Sequence, residues 1–577
     1  LLQLKQQEVQ LMNRNTNAYS TVDSVEVPRS HWTRKHTHIT TFNAGKLVPI
    51  YFNEDIIPGT TIKMKSSYVV RLQTPLNPTM DNLIIDTWWF RAPKWWYWTH
   101  FKEQFGENKL GAWAQTIQYN TPQIQVATTA YGPNDLANYL GIPQGITGFT
   151  YDRMGINFYC DIWNCWFRSQ PLQAPIQYDT SDNNSTSDGT ILTGYGLLPV
   201  NRTFDYFSSG LPEPERPLPG YTGGVKLPLG TTAPVIGNGK GLGLITSTGA
   251  NFTGTKYKAG LNIFSTNYTV LDTGAYNHSV GSTTPGTGTV VNANRVIGVT
   301  NEANASGLIA DLTNATAATI NALRLSFAIQ RIMERSAIYG NMYRDVLRHW
   351  GSVASSMDTM IPEYLGGNRE YVNIETVLQN SETTSASPLG DTGAFSVTTS
   401  TNIDFTKSFT MHDMLIGLMA VRVEEHKYSQ GLPRQFKRDK CLDHYWPELA
   451  HIGNQPVYNY EIYAQADTVV DSNGNPVNNG VFNYKEAWQE YIVTQNRASG
   501  EMNPVYAQTL AYWHYGDKDS TLPVFGDTWM QEPIYNIDRT LAVTSSEANQ
   551  FFGDFYFEEE VSAPIPLNRL PGLIDHY

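Results

Sequence analysis

Met414-Leu415-Ile416-Gly417-Leu418-Met419-Ala420-Val421-Arg422-Val423 is apolar at almost every position, a pattern that suits a β-strand covered on both faces. Residues 551–557 read as another strand near the other end of the chain. Close to the start, 46–52, 62–72 and 83–90 are short strand-like runs, separated by Pro58-Gly59 and by Pro75 and Pro78. Such residues are turn formers between strands. Strands at both ends, with helices and an insertion between them, predict a mainly β fold: one core whose loops have grown. No internal repeat is visible.

Helical spacing occurs between these runs. Trp98, Phe101 and Phe105 stand at i, i+3, i+7 before Gly106, and Phe158, Ile162, Cys165 and Trp166 form a second stripe; both are expected to be core faces. The clearest helix is expected to open at Thr319 as N-cap, with Ile320, Leu323 and Phe327 beside Leu325, Ile329 and Ile332. Gly340 interrupts it, and Tyr343, Val346, Leu347 and Trp350 resume the period up to Gly351. From 236 to 310 the chain is instead rich in Gly, Thr, Asn, Ala and Ser. That is too long for a structureless loop inside a compact domain, so an outward-facing, loop-rich subdomain is expected, with disorder as the alternative.

The composition limits the function. Of 577 residues only 16% are charged, while 12% are aromatic, with 14 Trp and 33 Tyr. Such a chain buries much surface but has few charges to solvate its exterior, and covering that exterior with copies of itself resolves the conflict. The net charge of −13 lacks the basic footprint of a free nucleic-acid binder, so any contact with nucleic acid must be confined to one face. Cys160, Cys165 and Cys441 make neither a disulfide framework nor a zinc pattern; they are expected to be buried or half-buried thiols. No apolar run is long enough to span a bilayer, and the polar, amide-rich residues after Leu1-Leu2-Gln3-Leu4-Lys5 do not read as a signal peptide.

A series of short blocks then carries a resemblance. Thr40-Thr41-Phe42-Asn43-Ala44-Gly45-Lys46-Leu47-Val48-Pro49, Asp86-Thr87-Trp88-Trp89-Phe90, Tyr139-Leu140-Gly141-Ile142-Pro143 and Trp166-Phe167-Arg168 come first. Ala318-Thr319-Ile320-Asn321-Ala322-Leu323-Arg324, Pro362-Glu363-Tyr364-Leu365-Gly366-Gly367, Tyr445-Trp446-Pro447-Glu448-Leu449-Ala450-His451 and Pro571-Gly572-Leu573-Ile574-Asp575-His576-Tyr577 follow. No single block is diagnostic, but their order and spacing resemble the major capsid proteins of gokushoviruses, small single-stranded DNA bacteriophages of the Microviridae. The resemblance implies an eight-stranded antiparallel jelly-roll of the viral capsid type, with long loop insertions and a few helices, built into a small T=1 icosahedral shell. Expected partners are further copies of the chain, packaged single-stranded DNA, minor virion proteins such as a DNA pilot protein, and a host bacterial surface receptor, with no membrane insertion and no cofactor. The expected location is the virion, assembled in the host cytoplasm. The expected layout is an N-terminal arm over 1–45, a first part of the core over 46–235, the insertion over 236–310 as a threefold protrusion, and a helix region with the remaining core over 311–577.

Candidate contact residues follow from charge and from the insertion. Arg29, Arg34 and Lys35, with Arg324, Arg331, Arg335, Arg344 and Arg348 of the helix region, are candidates for DNA phosphates, weighed equally against ion pairs. Phe252, Tyr257, Tyr268 and Tyr276 of the insertion are candidates for host attachment. His36 and His38 share a strand face, and their protonation near the ordinary imidazole pKa is expected to weaken assembly if two copies meet there. Glu558-Glu559-Glu560 is expected to be a solvated acidic run rather than a cation site. No catalytic motif stands out, and no metal site is assigned. The competing reading is a secreted β-sandwich that binds or cleaves carbohydrate, which requires paired carboxylates for cleavage.

Overall fold

The computed structural model describes residues 27–109, 111, 116–127, 129–186, 196–220, 320–381, 383, 389–390 and 392–567, with short strand segments at 235–237, 244–245, 298–299 and 308–310. Eight long strands dominate: β1 (Ser30–Phe42), β2 (Val48–Ile56), β3 (Thr61–Leu72), β4 (Leu83–Pro93), β5 (Glu363–Tyr371), β6 (Thr398–Ser408), β7 (Asp413–Val423) and β8 (Phe551–Ala563). They form two four-stranded sheets, ordered β1-β8-β3-β6 and β5-β4-β7-β2. Every neighbouring pair is antiparallel.

The side-chain period explains which face each strand buries. In β3, Ile62, Met64, Tyr68, Val70 and Leu72 are buried, while Lys63 and Lys65 face outward, the alternation of a strand with one covered face. In β8, Phe551, Phe555, Phe557 and Val561 point inward on the same period. β4 and β7 are buried along nearly their whole length. One side of β4 meets the other sheet, with Trp89 packed edge-on against Phe557 at 5.9 Å between ring centroids and tilted against Phe405 at 5.5 Å. The other side carries Trp88 and Phe90, which pack on Phe167 and Trp166.

That second cover comes from helix α1 (Met154–Ile162), all of it buried, and the wider-wound turn Trp163–Phe167 that continues it. Tyr159 ties the layer to the sheet end, donating to the Leu47 carbonyl at 2.7 Å. Phe158, Ile162 and Cys165 are buried as the stripe predicts, while Trp166 is half-exposed. A smaller core of Tyr206, Phe207, Tyr428, Phe482 and Trp529 forms near the ribbon Asn454–Tyr458 with Val481–Glu486.

Two local expectations are corrected. The Trp98–Phe105 stripe is not one helix: only Phe101–Gln104 is helical. Tertiary hydrogen bonds hold its start, from Trp98 Nε1 to Asp182 and from the Thr99 amide to the Thr180 carbonyl, and Phe105 is exposed. Cys160 and Cys165 are buried, but Cys441 is exposed, because it opens a one-turn 3-10 segment that buries no residue.

The chain divides into two compact units, Leu1–Arg216 with Met333–Tyr577, and Pro217–Ile332. Within the second unit, Val235–Gly237 pairs with Leu308–Ala310 and Leu244–Ile245 with Gly298–Val299, both antiparallel. Chain leaving this region therefore returns alongside itself. The long helix α2 (Ile320–Tyr339) ends at Gly340, whose φ of +112° is open to glycine. Its apolar stripe is not covered among the described residues: Ile320, Leu323, Leu325, Phe327 and Ile332 are all exposed.

Candidate assembly and nucleic-acid surfaces

The β1–β8 pair brings the first group of candidates together. Their register sets Arg34 opposite Glu559, Lys35 opposite Glu558 and His36 opposite Phe557. Because β8 alternates, Glu559 falls at an inward position and is fully buried, while its neighbours lie at the rim. This corrects the solvated acidic run. Arg34 donates to the Glu559 carboxylate and, at 3.2 Å, to the Tyr51 hydroxyl. A buried carboxylate requires such a partner, because desolvating an unpaired charge is costly. Glu558 and Glu560 are held by lysines: Lys35 at 3.6 Å and Lys65 at 3.5 Å from Glu558, Lys63 at 3.3 Å and Lys65 at 2.8 Å from Glu560.

His36 lies 3.6 Å from Glu559, but burial outweighs that carboxylate and lowers its pKa, with Arg34 and His38 acting in the same direction. It therefore takes up a proton only at more acid pH than a free imidazole. His38 Nδ1 lies 2.8 Å from the Ile50 carbonyl. Arg29 donates to the Gly59 carbonyl.

The arginines of the helix region divide into two kinds. Arg344 and Arg348 approach the buried Asp345 at 3.8 and 3.5 Å, and Arg344 lies over the Trp166 ring at 4.9 Å. Arg324, Arg331 and Arg335 are exposed on α2. Phe252, Tyr257, Tyr268 and Tyr276 lie outside the described residues.

Sequence reasoning missed two ionic clusters, each assembled from distant segments. In one, Asp86 accepts from Arg369 at 2.6 Å and from Arg422, beside a cavity of about 540 Å³ under Trp88 and Trp166. In the other, buried His426 lies 3.2 Å from Glu532 and 3.6 Å from Asp517, which also binds Arg202. Burial opposes the His426 charge, but Glu532 and Asp517 outweigh it and raise its pKa to about 9. Asp517 is correspondingly held well below the usual carboxylate range: Arg202 and His426 outweigh its burial. Asp86 precedes Trp88 in a block already noted, but nothing in the sequence pairs it with residues some 280 or more positions away. Among the described residues, no group of three or more His, Cys, Asp or Glu side chains is arranged to hold a metal ion, and no helix is long and apolar enough to cross a membrane.

Comparison with known proteins decides between the two function classes. Residues 20–573 match the family of the phage capsid protein, F protein. The capsid protein VP1 of Chlamydia phage 1 is 31% identical, over 96% of this chain and 98% of the relative. That of Spiroplasma virus 4 is 31% identical, over 97% and 98%, and that of Bdellovibrio phage phiMH2K is 27% identical, over 98% and 99%. These relatives are structural proteins rather than enzymes, which removes the carbohydrate-cleaving alternative. Two antiparallel sheets with rim charges paired and aromatic surface left exposed suit that role, and from residue 20 to residue 573 this chain belongs to the phage capsid protein (F protein) family.

Proposed function

We propose that this major capsid protein closes into a small T=1 icosahedral shell around a circular single-stranded DNA genome, with the β sandwich acting as a viral-type jelly-roll. The strand order β1-β8-β3-β6 against β5-β4-β7-β2 supports the jelly-roll, since neighbours in each sheet come from distant parts of the chain as Greek-key winding requires. The observation that carries self-assembly is apolar exposure. Tyr343, Trp350 and Val353 are 70%, 74% and 93% exposed, a cost that contact with further copies removes. In this reading the insertion over 236–310 forms a threefold protrusion that meets a host bacterial receptor through Phe252, Tyr257, Tyr268 and Tyr276. Minor virion proteins such as a DNA pilot protein join the shell, and assembly takes place in the host cytoplasm.

Electron microscopy of the purified protein tests the reading: uniform small shells are expected, and a protein that stays monomeric at high concentration would overturn it. Genome contact has its own test. Lys35 is engaged by Glu558, whereas Arg331 and Arg335 are exposed. Changing both arginines to Gln is expected to lower the DNA packaged per shell, while Lys35→Gln leaves it unchanged.

A further inference from the structure

The cavity of about 540 Å³ beside β4 and β7 combines features not required by the fold. Phe204 presents open aromatic surface there, 80% exposed, beside Trp166, whose ring lies under Arg344. Trp88 and Phe167 pack edge-on beneath, 4.8 Å between centroids, and Ser169, Asn201 and Thr203 supply polar lining.

Arg168, Arg369 and Arg422 line the same cavity. Arg369 and Arg422 share a single carboxylate, Asp86, and Arg422 Nε is buried without a hydrogen-bond partner. Arg168 has no carboxylate partner at all among the described residues: it donates only to the carbonyls of Asn164 at 3.4 Å and Gln173 at 2.9 Å. Burial without a counter-charge pulls its pKa below the ordinary arginine value. A fourth arginine, Arg202, is matched by buried Asp517. The facing acid Glu424 is engaged by Asn82 at 2.9 Å and by Tyr371 at 2.7 Å. Three guanidinium groups thus face two carboxylates, a local cationic excess in a chain of net charge −13.

We propose that this cavity is a binding site for one nucleotide of single-stranded nucleic acid, its base stacked on Phe204 and its phosphate held by Arg168 and Arg369. A planar π surface beside a guanidinium short of a counter-charge is the pairing that a base and its phosphate satisfy together. Arg168 offers a terminal nitrogen with no hydrogen bond among the described residues, and the cavity has room for both parts of the ligand. The proposal deepens the genome-enclosing reading above and rests on it for the source of the strand.

Two measurements test it. Oligodeoxythymidylate binding to the purified full-length chain, followed by fluorescence anisotropy, is expected to weaken about tenfold in Phe204→Ser, by loss of a stacked base. Arg168→Gln should weaken it comparably and Arg168→Lys should recover part of the loss. Phe204 is exposed, so that variant is expected to keep the wild-type circular dichroism and melting temperature. Ultraviolet crosslinking of DNA-filled shells should mark the peptide containing Phe204. Unchanged oligonucleotide affinity in Phe204→Ser, or crosslinks confined to other surfaces of filled shells, overturns the site while the capsid reading stands. Shells devoid of DNA would overturn the genome-enclosing reading instead, and the anisotropy measurement then decides the cavity alone.

Discussion

Glu559 shows how one residue's role follows from its position on a strand. The three consecutive glutamates are chemically equal, yet the period of two turns the middle one into the core, where Arg34 and Tyr51 meet it. The same logic of compensated burial governs His426. Its folded pKa of about 9 lies above the ordinary imidazole value of about 6.5. The stabilisation from its charge is therefore complete below about pH 6.5 and lost as pH rises through about 9. Urea unfolding midpoints of the wild type are expected to fall across that window. His426→Gln should remove that part of the slope and, by leaving Asp517 and Glu532 less compensated, cost on the order of 2–3 kcal/mol at neutral pH. A wild-type midpoint that tracks the variant's from pH 6 to pH 9 would refute the assignment.

At the scale of elements, β7 is decided by what covers it. Gly417 lies against the Trp89 indole, and a Cβ there would come 2.9 Å from its ring. The missing side chain is the space that the largest core residue of β4 fills. Gly417→Val is expected to destabilise the sandwich by about 2–3 kcal/mol through overpacking, read as a lower melting temperature with unchanged strand content, whereas Val421→Ile at the buried end of the strand should cost less. The β7 run was legible because burial on both faces leaves almost no polar position. The Trp98–Phe105 stripe was misread because its spacing is helical, whereas hydrogen bonds to Asp182 and Thr180 decide its backbone path. On α2 the period and the Gly340 stop were legible, but not the exposure of Leu325 and Phe327: a helical stripe announces that a face seeks cover without saying what covers it.

At the scale of the molecule, the long excursion sits on ladders that close themselves. Ile245 pairs with Gly298, so the two chain ends at that point are adjacent. Replacing 246–297 with a short Gly/Ser linker is expected to shift the unfolding free energy of the eight-stranded unit by no more than about 2 kcal/mol, since loop-closure entropy changes only logarithmically with length. Tryptophan fluorescence in urea measures this, and a collapse of the sandwich would show that the excursion is part of its core. Under the proposed reading, the shortened chain should still form shells but lose host adsorption.

The sequence by itself determined a mainly β, charge-poor, assembling chain, because periodicity and composition are local quantities that each residue and its near neighbours carry. The ordered blocks from Thr40 to Tyr577 pointed to the family for the same reason: each is a short phrase read along the chain. The strand at 414–423 was readable in that way, but its partners were not. That β7 lies between β4 and β2, that Glu559 finds Arg34 some 525 positions away, and that Arg168, Arg369 and Arg422 converge on one cavity are facts of tertiary structure alone. Strand pairing and charge compensation depend on contacts between distant segments, and no local period encodes which segments meet.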